Sequence, residues 1–187
     1  MAIALIGFSI FMGAGVNMFL YLSIDAASIL APITIGAQLS IPFAIILSSL
    51  FLGESINFKK WILIFTSFLG IILIAFDPKI SEEILAIILV FAMAFFYGLS
   101  QAFSRYLREL DVKFTSAFMG FVGFVVLLTI SQFIEGNVIN QIKNIDRDGW
   151  VAIFYAGMII SIFGHMMMFY LYKFYPVGMV LPFYALF

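Results

Sequence analysis

Residues 36–54 read GAQLSIPFAIILSSLFLGE. Almost every side chain is oily, yet the stretch carries an amide at Gln38, a proline at Pro42 and a Gly53-Glu54 pair where the apolar run stops. A helix on the surface of a soluble domain needs a polar face, and this stretch has none. A helix in lipid needs no polar face but must satisfy its backbone internally, and a proline takes one donor away. The stretch therefore reads as a bent membrane helix that closes at Gly53.

The rest of the chain agrees. Of 187 residues, 65% are hydrophobic and 10% charged, and the mean hydropathy is +1.19. A soluble domain is about 45–50% apolar and about 25% charged, and a globule of this size cannot hide the difference. The expected fold class is all-α, a polytopic transmembrane helical bundle. A net charge of −1 offers nothing for nucleic acid. The absence of cysteine removes disulfides, thiolate metal sites and a cysteine nucleophile, and a single histidine removes a poly-His metal site. No cofactor is expected. The first basic residue is Lys59, so no positively charged n-region of a signal peptide is visible.

Six apolar runs and a stub follow one another at roughly 2–21, 27–52, 60–76, 84–104, 114–134, 150–172 and 176–187. A spanning helix takes about 20 residues. Continuous apolarity without period-two alternation selects helices over a barrel. The connections hold nearly all the charge, including Asp25, Glu54, Glu83, Arg105, Arg108 and Lys113. Alternate connections carry three and six basic residues, so the positive-inside rule puts the second, fourth and sixth connections and Met1 in the cytoplasm. The stub of 12 residues reaches only about 18 Å of the roughly 30 Å hydrocarbon layer. The expectation is a chain truncated at its C-terminal end.

Shifted by 150 positions, residues 1–37 overlay 151–187 with seven identical pairs, among them Gly7/Gly157, Met18/Met168, Phe19/Phe169 and Pro32/Pro182. The topology count runs the two matching helices in opposite directions. Equivalent helices of opposite sense are an inverted repeat, a frequent build of secondary transporters. The alternative is two unrelated helices of similar Ile/Phe/Met composition.

The segment 25–76, DAASILAPITIGAQLSIPFAIILSSLFLGESINFKKWILIFTSFLGIILIAF, resembles the EamA repeat of the drug/metabolite transporter superfamily. Small residues enter a helix, Pro42 lies within it, Leu52-Gly53-Glu54 closes it, and a short helix with a glycine at Gly70 follows. Residues 92–107, AMAFFYGLSQAFSRYL, are similar to the opening helix of the second repeat, and 164–187 to that repeat's approach to its proline helix. The O-acetylserine/cysteine-exporter-like members are the nearest resemblance. It implies inverted repeats of the drug/metabolite transporter type, with 1–79 as the C-terminal part of a first repeat and 80–187 as the N-terminal part of a second. The first would hold three membrane helices, the second three and part of a fourth. It further implies a multi-pass protein of the bacterial inner membrane, with a small-molecule substrate and the lipid bilayer as partners. Protons are the candidate coupling ion, and a homodimer is the candidate assembly.

Six residues are candidate substrate-binding positions. Pro42 cannot donate to the carbonyl of Gln38, nor Pro32 to that of Ser28. Each leaves an acceptor away from bulk water, and the Gln38 amide sits at the turn that Pro42 opens. Gln38 either faces a translocation cavity or bonds to a neighbouring helix. His165 is the one ionisable side chain deep in a run, sharing a face with Met158, Ser161, Met168 and Tyr172 by helical spacing. It suits proton coupling, cavity lining, or a neutral bond across helices. Tyr97 and Gln101 lie one turn apart, beside an Ala94-Gly98-Ala102 seam that favours close helix approach. Asn17 lies in the first helix, again as cavity or packing. Glu54 reads as an elbow before a helix that Asn57 can cap, and Arg105, Arg108 and Lys113 as interfacial anchors.

The expected function is secondary transport of small metabolites, in particular export of amino-acid-like solutes. Competing readings are a non-transporting scaffold and an intramembrane enzyme. The enzyme needs clustered acid, base or nucleophile groups that one histidine does not supply. Nothing resembles a phosphate-binding loop, so ATP drive is unsupported.

Overall fold

The computed structural model describes residues 1–75, 83–134 and 136–184. The loop charges Asp77, Lys79, Glu82 and Glu135, and the ends of the third run and the stub, lie outside the described residues. The described chain is an all-α bundle. Its helices are α1 (Ala2–Asp25), α2 (Ala31–Leu52), α3 (Phe58–Ala75), α4 (Ile84–Tyr106), α5 (Val112–Ile134), α6 (Val138–Lys143), α7 (Arg147–Leu171) and α8 (Val177–Tyr184). Among the described residues, five helices, α1, α2, α4, α5 and α7, are long and apolar enough to cross a bilayer. Helix α3 adds 18 residues, about 27 Å. Two boundaries differ from the apolar runs. Helix α1 continues to Asp25, which the sequence places in a loop. Helix α2 begins at Ala31 because Pro32, which lacks an N–H, occupies its first turn.

Helix α2 is broken where its sequence is odd. Ala31–Ala37 and Ser40–Leu52 are separate helical segments joined through Gln38 and Leu39. The carbonyl of Gln38, expected to lose its donor to Pro42, instead accepts the Ile41 N–H at 3.1 Å. A tighter i→i+3 turn replaces the bond that proline cannot make. Likewise Pro32 does not free an acceptor in mid-helix, because it starts one. The helix ends on Gly53 in the left-handed conformation, φ 68°, with its N–H on the Ser49 carbonyl at 3.1 Å. Asn57 then caps α3, accepting the Lys60 N–H at 2.9 Å.

Helix α4 is the centre. It packs against α1, both halves of α2 and α8. It buries 44% of its apolar window against 6% for α7. Its buried face runs Ala86, Val90, Met93, Ala94, Tyr97, Gly98, Gln101 and Ala102. The small seam works as its sequence suggests. A Cβ on Gly98 would lie 2.7 Å from the Ala44 nitrogen and 2.7 Å from the Phe43 Cβ. The contact brings Phe43 edge-on to Phe91 and Phe95, with centroids at 5.0 and 5.6 Å. Such ring pairs contribute about 0.5–1.5 kcal/mol beyond their buried area.

Helix α1 meets α5 through a second close approach, at Gly13 and Gly123, where a Cβ on Gly123 would lie 2.7 Å from the Gly13 carbonyl oxygen. That part of α1, Ser9–Gly15, is π-helical. The Asn17 amide donates to the carbonyls of Gly13 at 3.1 Å and Met12 at 3.4 Å. Helix α7 holds a longer π segment, Tyr155–His165. Shifted by 150, residues 9–15 fall on 159–165, inside it. The paired prolines differ, Pro32 lying in the first turn of α2 and Pro182 inside α8.

Gly98→Leu is expected to destabilise the bundle by about 1–3 kcal/mol through overpacking. Gly120→Ala, with nothing within 4 Å of its Cβ, is expected to be neutral or to stabilise by up to about 1 kcal/mol. Thermal unfolding of the two variants in detergent checks the contrast.

Candidate functional site

Tyr97, Gln101 and Arg105 repeat every four residues, so they stand above one another on one face of α4. That face meets the end of α7 and the turn after it. The Tyr97 hydroxyl lies 3.8 Å from the Met168 sulfur. Two turns along, the Arg105 guanidinium donates from Nη1 to the Tyr172 carbonyl. Its Nε lies 3.7 Å from Oε1 of Glu54, with side chains only 14% and 20% exposed. Arg105, expected as an interfacial anchor, has partners within the protein. It ties the ends of α2 and α4 to the turn beyond α7. Glu54, expected as an elbow before α3, is paired with it there.

Between these two contacts lies Gln101, with no exposed surface. Among the described residues neither its amide nitrogen nor its amide oxygen has a hydrogen-bond partner. An amide buried this way costs about 1–3 kcal/mol per unmade bond. Its neighbours on α4 do not share the problem: the Ser100 hydroxyl returns to the Phe96 carbonyl at 2.7 Å. The next residue, Ala102, lines a cleft of about 580 Å³. The cleft is walled by Gly7 and Phe11 of α1, Phe51 and Leu52 of α2, and Phe103 and Tyr106 of α4. Its walls are mostly apolar, and its size is that of a small-ligand pocket.

The other expected site residues fall elsewhere. Pro42 is buried against α4. Gln38 is exposed and lines neither of the two clefts described here. Asn17 spends its amide on its own π segment. His165 is half-buried at the end of the other π segment, its ring 6.1 Å from that of Phe169. The face expected for it does not hold together: Met168 and Tyr172 are buried, whereas Met158 and Ser161 are exposed. The expected face assumed α-helical spacing, and the π turns before His165 change the register.

Two features escaped the sequence. Glu83, placed there in a loop, is 4% exposed and accepts the Ser28 N–H with both carboxylate oxygens at 3.0 Å. It fastens the α1–α2 connection to the start of α4. The other is a second cleft, about 480 Å³, between the start of α5 and the end of α7. Asp111, Lys113 and Lys173 stand at its rim. Asp111 caps α5, accepting the Phe114 N–H at 2.9 Å, and this bond above all holds its carboxyl below the usual carboxylate range. The Lys113 N–H and the charges of Lys173 and Lys113 act in the same direction, against a smaller effect of desolvation than that of the cap.

The fold and this face define a polytopic helical membrane protein with a polar strip inside an apolar bundle. Residues 84–187 match the model of the EamA-like transporter family, and the chain belongs to that family. It is a multi-pass membrane transporter of the drug/metabolite type, so a small-molecule substrate and a lipid bilayer are its surroundings. Neither the curated proteins nor the solved structures yield a match.

Arg105→Leu is expected to lower stability by about 1–3 kcal/mol, since it removes a charged donor from the Tyr172 carbonyl and the cation from Glu54. Glu54→Gln should cost less than about 1 kcal/mol, because the pair is long and partly solvated. Unfolding in detergent distinguishes the two. The Asp111 cap has its own pH signature. Its folded pKa lies below the unfolded value near 3.9, so its contribution is complete above that value and fades as pH falls through the folded one. Asp111→Ala should remove that part of the stability loss below about pH 4, read from unfolding midpoints across pH.

Proposed function

We propose that this transporter is a secondary carrier that exports small amino-acid-like solutes across a bacterial inner membrane, of the O-acetylserine/cysteine-exporter-like kind. The observation that carries the reading is the buried amide of Gln101, which has no hydrogen-bond partner among the described residues. Its donors and acceptor suit a solute that itself carries both, and it competes with no fixed internal bond. Tyr97 one turn away adds a hydroxyl, and the cleft that Ala102 lines begins one residue along the helix. Gln38, Pro42, Asn17 and His165 belong to the substrate path in other states of the carrier, with protons on His165 as the coupling ion and a homodimer as the assembly. Residues 1–79 and 80–187 are portions of two inverted repeats. The paired π segments of α1 and α7 support that division, because π turns recur at functional positions.

The test is solute transport into everted vesicles, with and without a proton gradient, comparing Gln101→Leu with the parent chain at equal expression. Removing one hydrogen bond to substrate is worth about 0.5–1.5 kcal/mol, roughly 2- to 12-fold in kcat/KM. Stability should move the other way and rise by about 1–3 kcal/mol, because a buried unpaired amide is gone. Unchanged flux with the rise in stability overturns Gln101 as a substrate contact. Absence of transport by the parent chain favours the scaffold reading.

A further inference from the structure

We propose that the cleft between the start of α5 and the end of α7 binds one anionic glycerophospholipid from the surrounding bilayer. Its walls are Phe163, Met166 and Met167 of α7 and Val112 of α5. Its rim carries Lys113 and Lys173. The walls are open rather than packed: Phe163 is 75% and Met167 67% exposed. Lys113 is exposed and Lys173 half-buried. Among the described residues neither lysine forms a salt bridge. Both ammonium groups act on Asp111, so the three charges share one rim with a net charge of +1.

The occupant follows from this division of polarity. A soluble anion would meet the lysines and leave the methionine and phenylalanine walls uncovered. An apolar chain alone would leave the two cations without a counter-charge. A molecule with one phosphodiester and an acyl chain satisfies both, and its headgroup hydroxyls can donate to Asp111. The rim lies at helix termini, the depth at which headgroups sit, and basic residues beside membrane helices attract anionic lipid. Methionine suits a chain without fixed shape because its side chain is flexible and polarizable. The inference does not depend on which solute is carried.

Native mass spectrometry of the full chain in a neutral detergent tests it, with phosphatidylglycerol and phosphatidylcholine titrated separately. One phosphatidylglycerol is expected to stay bound where phosphatidylcholine does not. At about fivefold per lysine, Lys113→Gln with Lys173→Gln should weaken phosphatidylglycerol about 25-fold. Lys113→Arg with Lys173→Arg should retain it, which shows that loss in the glutamine variant is not misfolding. Met167→Trp, which fills the wall, should weaken binding with the charges intact. Equal retention of the two lipids, unchanged binding in the double glutamine variant, or full displacement by inorganic phosphate at equal concentration each overturns the proposal.

Discussion

The bundle depends on how closely α2 approaches α4. At Gly98 the two backbones are in contact, and no side chain larger than hydrogen fits there. In lipid, apolar burial does little to draw helices together, because the tails are as oily as the side chains. Close backbone packing must supply the attraction. The seam of Ala94, Gly98 and Ala102 permits it, and the rings of Phe43, Phe91 and Phe95 fill the space beside it. With α4 held there, its remaining buried positions can serve α1 and the end of α7. The Gly13–Gly123 contact repeats the same solution between α1 and α5.

Polar groups in this setting must find partners nearby, and most do. Ser9 returns to the Leu5 carbonyl at 2.8 Å, Ser23 to Leu20 at 2.7 Å, and Asn17 to the carbonyls of its own π segment. Charged groups are bound at the ends of helices, Glu83 on the Ser28 N–H and Arg105 between Glu54 and the Tyr172 carbonyl. Against that background Gln101 stands out, since a full amide is enclosed without a partner among the described residues. Binding sites are where structures tolerate such a cost, because a ligand can repay it. In a carrier the repayment must be temporary, which favours a neutral amide over a fixed charge.

Legibility varied with the range of the interaction. The break at Gln38 and Pro42, the Gly53 terminus and the Asn57 cap depend on residues within four positions of one another, and the sequence announces them. Proline's lost donor was legible, but the Ile41 N–H that replaces it was not, because that bond depends on how the broken ends settle. The small seam on α4 was legible as a packing surface, while its partners Phe43 and Ala44 were not. The face that α-helical spacing predicts around His165 does not form, because the eleven residues Tyr155–His165 are π-helical. Arg105 looked like an anchor because basic residues near span ends usually are. Its partners Glu54 and Tyr172 are 51 and 67 residues away.

By itself the sequence determined the solvent, the helices and the bend. Those follow from composition, run length and proline, which act locally on a chain that must satisfy its backbone in lipid. Only the tertiary structure decided that α4 is central, that Arg105 turns inward, that Gln101 is enclosed without a partner among the described residues, and that α5 and α7 leave an amphiphilic cleft. Each of these depends on which faces meet. In a chain with 65% hydrophobic residues nearly every face is apolar, so hydrophobicity no longer distinguishes inside from outside. Shape makes that choice, through glycines and rings that fit only one neighbour.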